Sequence, residues 1–332
     1  MKPLIITISR YRKPILFLLT ILAAITLQPC ISNSFDGPFQ SRNQFPLFST
    51  FDAPFMESAL IEDSLSVNLS YSSVYLSEQT ALWSIGLDME ISELNLRVKK
   101  VCGGMIEIGA DMPFLSINSG ILDGALKTYH SAFGFPDYGR SERPDNKFLY
   151  EVKRGNVTVI KGESGNIGIG DIRLSAKLPV VRGDPAISVK GDIELPSGNS
   201  RTGYGNGSLD AGLALLMDKN LGGNMKSFIN AGIIFPGDLR GYEKVDLHES
   251  LYGGIALEAA FVKDISFIGQ IWAQNSPFPN TGIPAVDRTA VLLSFGGRYH
   301  SGSSSLDIFF TEDVNTAGAP DFTIHLSLRK KL

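Results

Sequence analysis

The sequence predicts an all-β fold: a transmembrane antiparallel β-barrel of about twelve strands, with a short helical insertion in one long loop. Three observations carry that expectation. They are an export leader, a period-two apolar pattern over most of the chain, and links that alternate between short and long.

The leader comes first. Lys2, Arg10, Arg12 and Lys13 make a basic start, and no acidic residue precedes Asp36. Ile15 to Leu27 is apolar apart from Thr, too short for a helical span of roughly 20 residues but suited to a signal-peptide core. Cys30 and Ser32 supply the small residues a leader peptidase reads, so residues 1–32 are expected to be a signal peptide cleaved near Ser32. Pro29, directly before Cys30, argues against lipidation there. Taking the four leader cations from the chain's 30 leaves 26 basic against 34 acidic residues, a net of −8. That balance offers no electrostatic basis for binding nucleic acid. Cys102 becomes the only cysteine, which excludes an intrachain disulfide. No later apolar run approaches a membrane-spanning helix, so membrane residence must use strands.

Residues 33–63 differ from the rest. Phe35, Phe39, Phe45, Phe48, Phe51 and Phe55 are interspersed with Pro38, Pro46 and Pro54, a density that discourages a regular element. The simpler reading is an aromatic-rich periplasmic lead-in; the other is an extended segment packed into the lumen as a plug.

From Ser64 to Leu332 alternation dominates and defines the barrel region. Trp83, Ile85, Leu87, Met89 and Ile91 share one face; Ile187, Val189, Ile193 and Leu195 alternate with Ser188, Lys190, Asp192 and Glu194. Tight turns are expected at Gly103-Gly104, Arg182-Gly183-Asp184, Gly222-Gly223-Asn224, Lys263-Asp264 and Ser301-Gly302-Ser303. Longer links fall near 116–165, 197–207, 236–249, 276–287 and 312–321, a strict short–long alternation. Outer-membrane barrels have short periplasmic turns and long outer loops, so the count becomes about twelve strands of roughly 9–13 residues. Apolar parity is odd through Ile91 and even at Leu94, Leu96 and Val98, which predicts a bulge near Ser92–Glu93. A similar change separates Ile167 and Ile169 from Ile172. Within 116–165, Leu122, Leu126, Tyr129 and Phe133 at helical spacing predict a short amphipathic helix that covers the barrel mouth or folds partly into it.

Several of these pieces are similar to a known family. Gly37-Pro38 and Arg42-Asn43-Gln44-Phe45-Pro46-Leu47 follow the leader. A block runs from Leu122-Asp123-Gly124 through His130 and Phe133-Gly134-Phe135-Pro136-Asp137 to Gly139-Arg140. Later come Gly170-Asp171-Ile172-Arg173-Leu174, Leu195-Pro196-Ser197-Gly198, Glu312-Asp313 and Pro320-Asp321-Phe322. Together they resemble the Gram-negative envelope proteins catalogued as domain of unknown function 3187, across essentially the whole mature chain. The resemblance implies an outer-membrane setting and assigns no catalytic residues. Leu332 departs from the aromatic end common in such barrels.

The polar strand face is repeatedly charged, and Arg97, Arg173, Lys177, Lys190, Asp192, Glu194, Asp210, Glu258, Asp307 and His325 are expected to line the lumen. Its functional reading is a hydrated path for a small solute; its plainer reading is charges that pair and fill a small barrel. The helical block contributes Leu122, Asp123, His130, Phe133, Asp137 and Arg140 as candidate plug or loop residues. A lipid hydrolase would need Ser, His and an orienting acid converging on the lipid-facing surface. Of the four histidines, His300 falls at a turn where solvation is the default, His248 lies in a loop, and only His130 is kept as a candidate. No metal-ligand spacing or phosphate-loop context occurs, so no cofactor and no metal are expected. The expected function is a pore for a small solute, with outer-membrane lipid and the barrel-assembly machinery as partners. A closed structural or adhesive barrel is the alternative, and a membrane-lipid hydrolase the third reading.

Overall fold

Twelve antiparallel strands close on themselves in a computed structural model that describes residues 35–52, 55–133, 144–315 and 317–332, with only the helical backbone at 129, 130, 132 and 133. The leader, Asp137 and Arg140 lie outside the described residues, as do the side chains of His130 and Phe133. The barrel strands are β1 (Ser64–Gln79), β2 (Trp83–Cys102), β3 (Ile106–Asn118), β7 (Ile172–Val181), β8 (Ala186–Leu195) and β9 (Asp210–Gly222). They continue as β10 (Met225–Phe235), β13 (Ser250–Val262), β14 (Ile265–Gln274), β15 (Ala290–Ser301), β16 (Ser304–Asp313) and β17 (Phe322–Lys331), with a separate two-stranded ladder of β11 (Leu239–Arg240) and β12 (Lys244–Val245) between β10 and β13. Closure is by β1 and β17, paired from Ser64↔Lys331 to Ser73↔Phe322, so no edge of the barrel is left open.

Alternation explains the wall. Leu65, Leu69, Leu96, Val98, Leu213, Leu215, Ile255, Ile271, Ile308 and Leu326 are exposed and point outward. Their neighbours in sequence are buried, among them Ser66, Asn68, Arg97, Lys99, Ala256, Asp307 and Ser327. An apolar outer belt over a polar interior is what a lipid-facing barrel requires. Phe261, Phe267 and Tyr299 are outward near the tight-turn end, the place for an aromatic girdle.

The parity change in β2 has a different cause from the expected bulge. The β1–β2 register runs unbroken from Ser64↔Lys99 to Gln79↔Ser84, and β2–β3 from Glu90↔Asn118 to Cys102↔Ile106. Trp83 to Ile91 and Glu93 to Lys99 at odd positions all point inward; what changes is the interior, apolar at the outer end and charged below. The change near Ile167–Ile172 is a true interruption. The short β6 (Ile167–Ile169) and β7 both pair with β3, separated by Gly170 and Asp171.

Two further expectations are revised. Short and long links do not alternate strictly, because β1 and β2 are 16 and 20 residues long and meet at the outer end through only residues 80–82. A hairpin of β4 (Leu149–Arg154) and β5 (Val157–Lys161) extends the sheet there, with Trp83↔Arg154 the first pair. The predicted helix exists as α2 (Asp123–Phe133), following the one-turn α1 (Pro46–Ser49). It does not begin at the mouth. Ile121 and Leu122 donate their N–H groups to Glu90, whose side chain is on the outward face of β2, so the helix start is pinned to the outside of the wall. Asp123 accepts from the Asn146 N–H at 2.7 Å and holds the far end of the loop.

Leu215 lies near the middle of β9 with its side chain outward. Leu215→Arg should destabilise the barrel in lipid by about 2–4 kcal/mol, measured by urea titration in liposomes with heat-modifiable gel mobility as the readout.

Candidate functional site

The lumen is occupied by the chain's own N-terminal segment. Asp36 lies at the tight-turn end, where Lys331 contacts its carboxylate and Arg329 donates to its backbone oxygen. The chain then rises to α1 near the outer loops and returns, so that Asp63 again meets Lys100 and the Val101 N–H at the tight-turn end. This hairpin replaces the periplasmic lead-in that the Phe/Pro composition made the simpler expectation.

Its tip is apolar. Phe45, Leu47, Phe48, Phe51 and Met56 belong to one buried cluster with Val74, Trp83, Ile85, Leu87 and Ile91 of the barrel. Leu239, Val245, Phe278, Ile283 and Val286 of the outer loops close over it, Ile283 just before and Val286 within α3 (Pro284–Asp287). Each such side chain withdrawn from water contributes about 1.5–3 kcal/mol. Gly212 and Gly254 face the hairpin where side chains would not fit: a Cβ would lie 2.7 Å from the Asp52 carboxylate and 2.8 Å from the Met56 sulfur.

Its shaft is charged and meets the expected lumen residues. All of Arg97, Arg173, Lys177, Lys190, Asp192, Glu194, Asp210, Glu258, Asp307 and His325 are buried inside the barrel. At the tight-turn end Arg298 makes a two-pronged contact to Asp307, with both distances 2.7 Å, and reaches Glu258 at 3.1 Å and the Gly37 carbonyl at 2.7 Å. Asp36 and Gly37 donate their N–H groups to Glu258. Midway, Arg42 of the hairpin forms a fork on Glu93 at 3.2 and 2.7 Å, and Gln44 donates to the same carboxylate. Further round the wall Asp52 contacts Arg173, and its N–H donates to Asp210 at 3.1 Å. Glu57 is reached by Lys99, Lys190, Arg97 and Lys177. Asp218 accepts from the Ser58 hydroxyl and the Ala59 N–H. Beside the hairpin lie cavities of about 10 and 20 Å³, each with room for about one water molecule.

Of the described histidines, His300 departs from the solvated turn position that the sequence suggested. His300 points into the lumen with Nδ1 3.1 Å from Asp36 and Nε2 3.2 Å from the Ser266 hydroxyl. Those are the distances of a Ser–His–acid relay, and sequence reasoning missed them because Ser266 and Asp36 are remote in the chain. Ser266 is only 1% exposed, and its hydroxyl and the His300 ring line neither of the two cavities beside the hairpin. His325 is buried with Nε2 3.0 Å from the Thr311 hydroxyl and its ring stacked on Phe309, which in turn stacks on Phe39 of the hairpin. Among the described residues no group of three or more His, Cys, Asp or Glu could hold a metal ion.

The family model described as "Protein of unknown function (DUF3187)" matches residues 15–332. The chain belongs to this family. No curated protein matches it. Among solved structures, the COG4313 outer membrane channel from Pseudomonas putida F1 is similar at a TM-score of 0.54 and 12% identity, covering 82% of this chain and 96% of that one. The NanC porin (TM-score 0.45, 10% identity, 81% and 100% covered) and the KdgM porin (0.43, 8%, 81% and 99%) are also similar. At these identities the first likeness bears on the fold, the twelve-stranded barrel that the DUF3187 chain forms.

Asp171, one of the residues carrying the family resemblance, sits in the break between β6 and β7 at the outer rim. Burial pushes its carboxyl up to about 6 despite hydrogen bonds from the Gly198 and Asn206 N–H groups. A pKa raised from 3.8 means the folded protein holds this proton more tightly than the unfolded chain. The resulting stabilisation is complete below the unfolded value and is lost as pH rises through about 6. Stability in urea should therefore be lower at pH 7 than at pH 5 by this contribution, and Asp171→Asn should reduce the difference.

Arg298 is fully buried with two acidic partners, so Arg298→Met should cost about 3–5 kcal/mol in urea unfolding by leaving Glu258 and Asp307 uncompensated.

Proposed function

We propose that this protein is an outer-membrane barrel that passes a small solute and is held shut at rest by its own N-terminal hairpin. The observation that carries the reading is the chemistry of the shaft. Arg42, Asp52 and Glu57 meet the wall through charged groups. Water entering a displaced lumen can solvate both partners of each pair, whereas an apolar plug would have to expose its surface. The outward apolar belt, the aromatic girdle and the likeness to an outer membrane channel support the membrane setting. In this reading residues 1–32 are the cleaved signal peptide, and the barrel-assembly machinery inserts the mature chain.

The apolar tip favours a second reading, a closed structural or adhesive barrel, because Leu47, Phe48 and Phe51 are fully buried under the outer loops. One experiment separates the two. In planar lipid bilayers the full-length protein should show only rare, brief openings. A variant lacking residues 35–60, shown to be folded by heat-modifiable mobility, should give sustained and reproducible conductance steps. A folded deletion variant that never conducts would establish the closed reading and exclude passage.

A further inference from the structure

We propose that Arg97, Lys99, Lys177 and Lys190 form a binding site on the barrel wall for a free monoanionic carboxylate, and that Glu57 of the hairpin occupies it in the closed state. The proposal rests on the solute-passing reading and names the class of solute.

The four cations come from β2, β7 and β8 and converge on one carboxylate. Lys99 contacts Glu57 directly, Lys190 lies at 2.7 Å, Arg97 at 3.6 Å and Lys177 at 4.0 Å. Each cation also has a partner on the wall. Arg97 contacts Asp111 at 2.5 Å, Lys177 and Lys99 share Glu107 at 2.9 and 3.4 Å, and Lys190 meets Asp192 at 2.8 Å. Four positive charges therefore stand against three negative ones on the wall itself. The surplus is a single charge, and Glu57 neutralises it. With the hairpin displaced, the same wall presents one uncompensated positive charge and several donors aimed at one point, which selects a monovalent oxyanion.

The surroundings fit a solute as well as a side chain. The Glu57 backbone is fixed independently of its carboxylate: its N–H donates to the Asn230 side-chain oxygen at 2.7 Å, and its carbonyl accepts from that amide at 2.9 Å. The cradle therefore binds the carboxylate as a group. The cavity of about 20 Å³ adjoins it, lined by Glu57, Arg97, Lys99 and Lys177. Two residues earlier, the Phe55 ring lies under the same Arg97, 4.2 Å from its guanidinium carbon, so apolar bulk is accepted next to the carboxylate.

The test uses the full chain and propionate as the probe. Glu57→Ala keeps the backbone anchor and leaves a carboxylate-sized vacancy. Propionate should raise its Tm in detergent by about 3–5 °C, while propionamide and chloride at equal ionic strength should not. Adding Lys190→Met should abolish the rise. In the wild type, propionate competes with Glu57, so tryptic cleavage after Arg42, which is buried in the closed lumen, should accelerate several-fold over chloride. The proposal is overturned if Glu57→Ala responds to propionate no more than to chloride. If that variant does not fold, unchanged cleavage at Arg42 in the wild type overturns it. A propionate response in a protein whose hairpin-deleted form never conducts would keep the site and remove only the solute-passing reading.

Discussion

The structure depends on neutralising charge inside a barrel whose outside faces lipid. Arg97, Lys99, Lys177, Lys190, Arg173 and Arg298 are buried there, and none could be left uncompensated without a penalty of several kcal/mol. The wall supplies most of the counter-charge through neighbours on the same or the adjoining strand, as Lys190 and Asp192 show on one strand and Arg298 and Asp307 on paired strands. It does not supply all of it. Asp36, Asp52 and Glu57 of the hairpin complete the balance, which sets the depth at which the segment sits and the glycines that must face it.

The interior has two zones with different jobs. At the outer end Trp83, Ile85 and Leu87 meet Phe45, Leu47 and Phe51, and the contact is non-directional, proportional to area. Toward the tight turns the contacts are ionic and directional, and each residue has assigned partners. An apolar tip alone could slide or rotate in its socket. The fork of Arg42 on Glu93, the Asp52–Arg173 pair and the convergence on Glu57 fix which residue faces which strand. Burial thus holds the hairpin in, and charge sets its register.

Much of this was legible in the sequence, and the misreadings share one cause. Strand number, closure, the turns and the inward charged face follow from period-two alternation, a local signal. The bulge near Ser92–Glu93 was inferred by assuming that the inner face is polar along its whole length. With an apolar plug tip inside, Ile91 and Glu93 can both point inward on a regular strand. His300 was read from its neighbour at the turn, yet its partners Asp36 and Ser266 come from elements that local pattern cannot join. The hairpin itself carried a usable trace. An aromatic, proline-rich segment holding spaced charges at Asp36, Arg42, Asp52 and Glu57 matches a wall where Arg97, Lys99, Lys177 and Lys190 share three acids, Asp111, Glu107 and Asp192.

If the proposed solute passage holds, the same pairing would let the lumen open without unmaking the barrel. The wall pairs Arg97–Asp111, Lys177–Glu107 and Arg298–Asp307 survive displacement of the hairpin, because both members of each sit on the strands. Displacement leaves unpaired chiefly the groups whose partner lies on the hairpin: Glu93, opposite Arg42, and the surplus cation around Glu57. Both are charged groups that incoming water solvates well, whereas the apolar tip loses favourable contacts when it moves. Under the proposed solute-passing reading, the resistance to opening would reside in the tip beneath the outer loops, and the shaft, with its ionic partners on the wall, would be the part that a charged solute replaces.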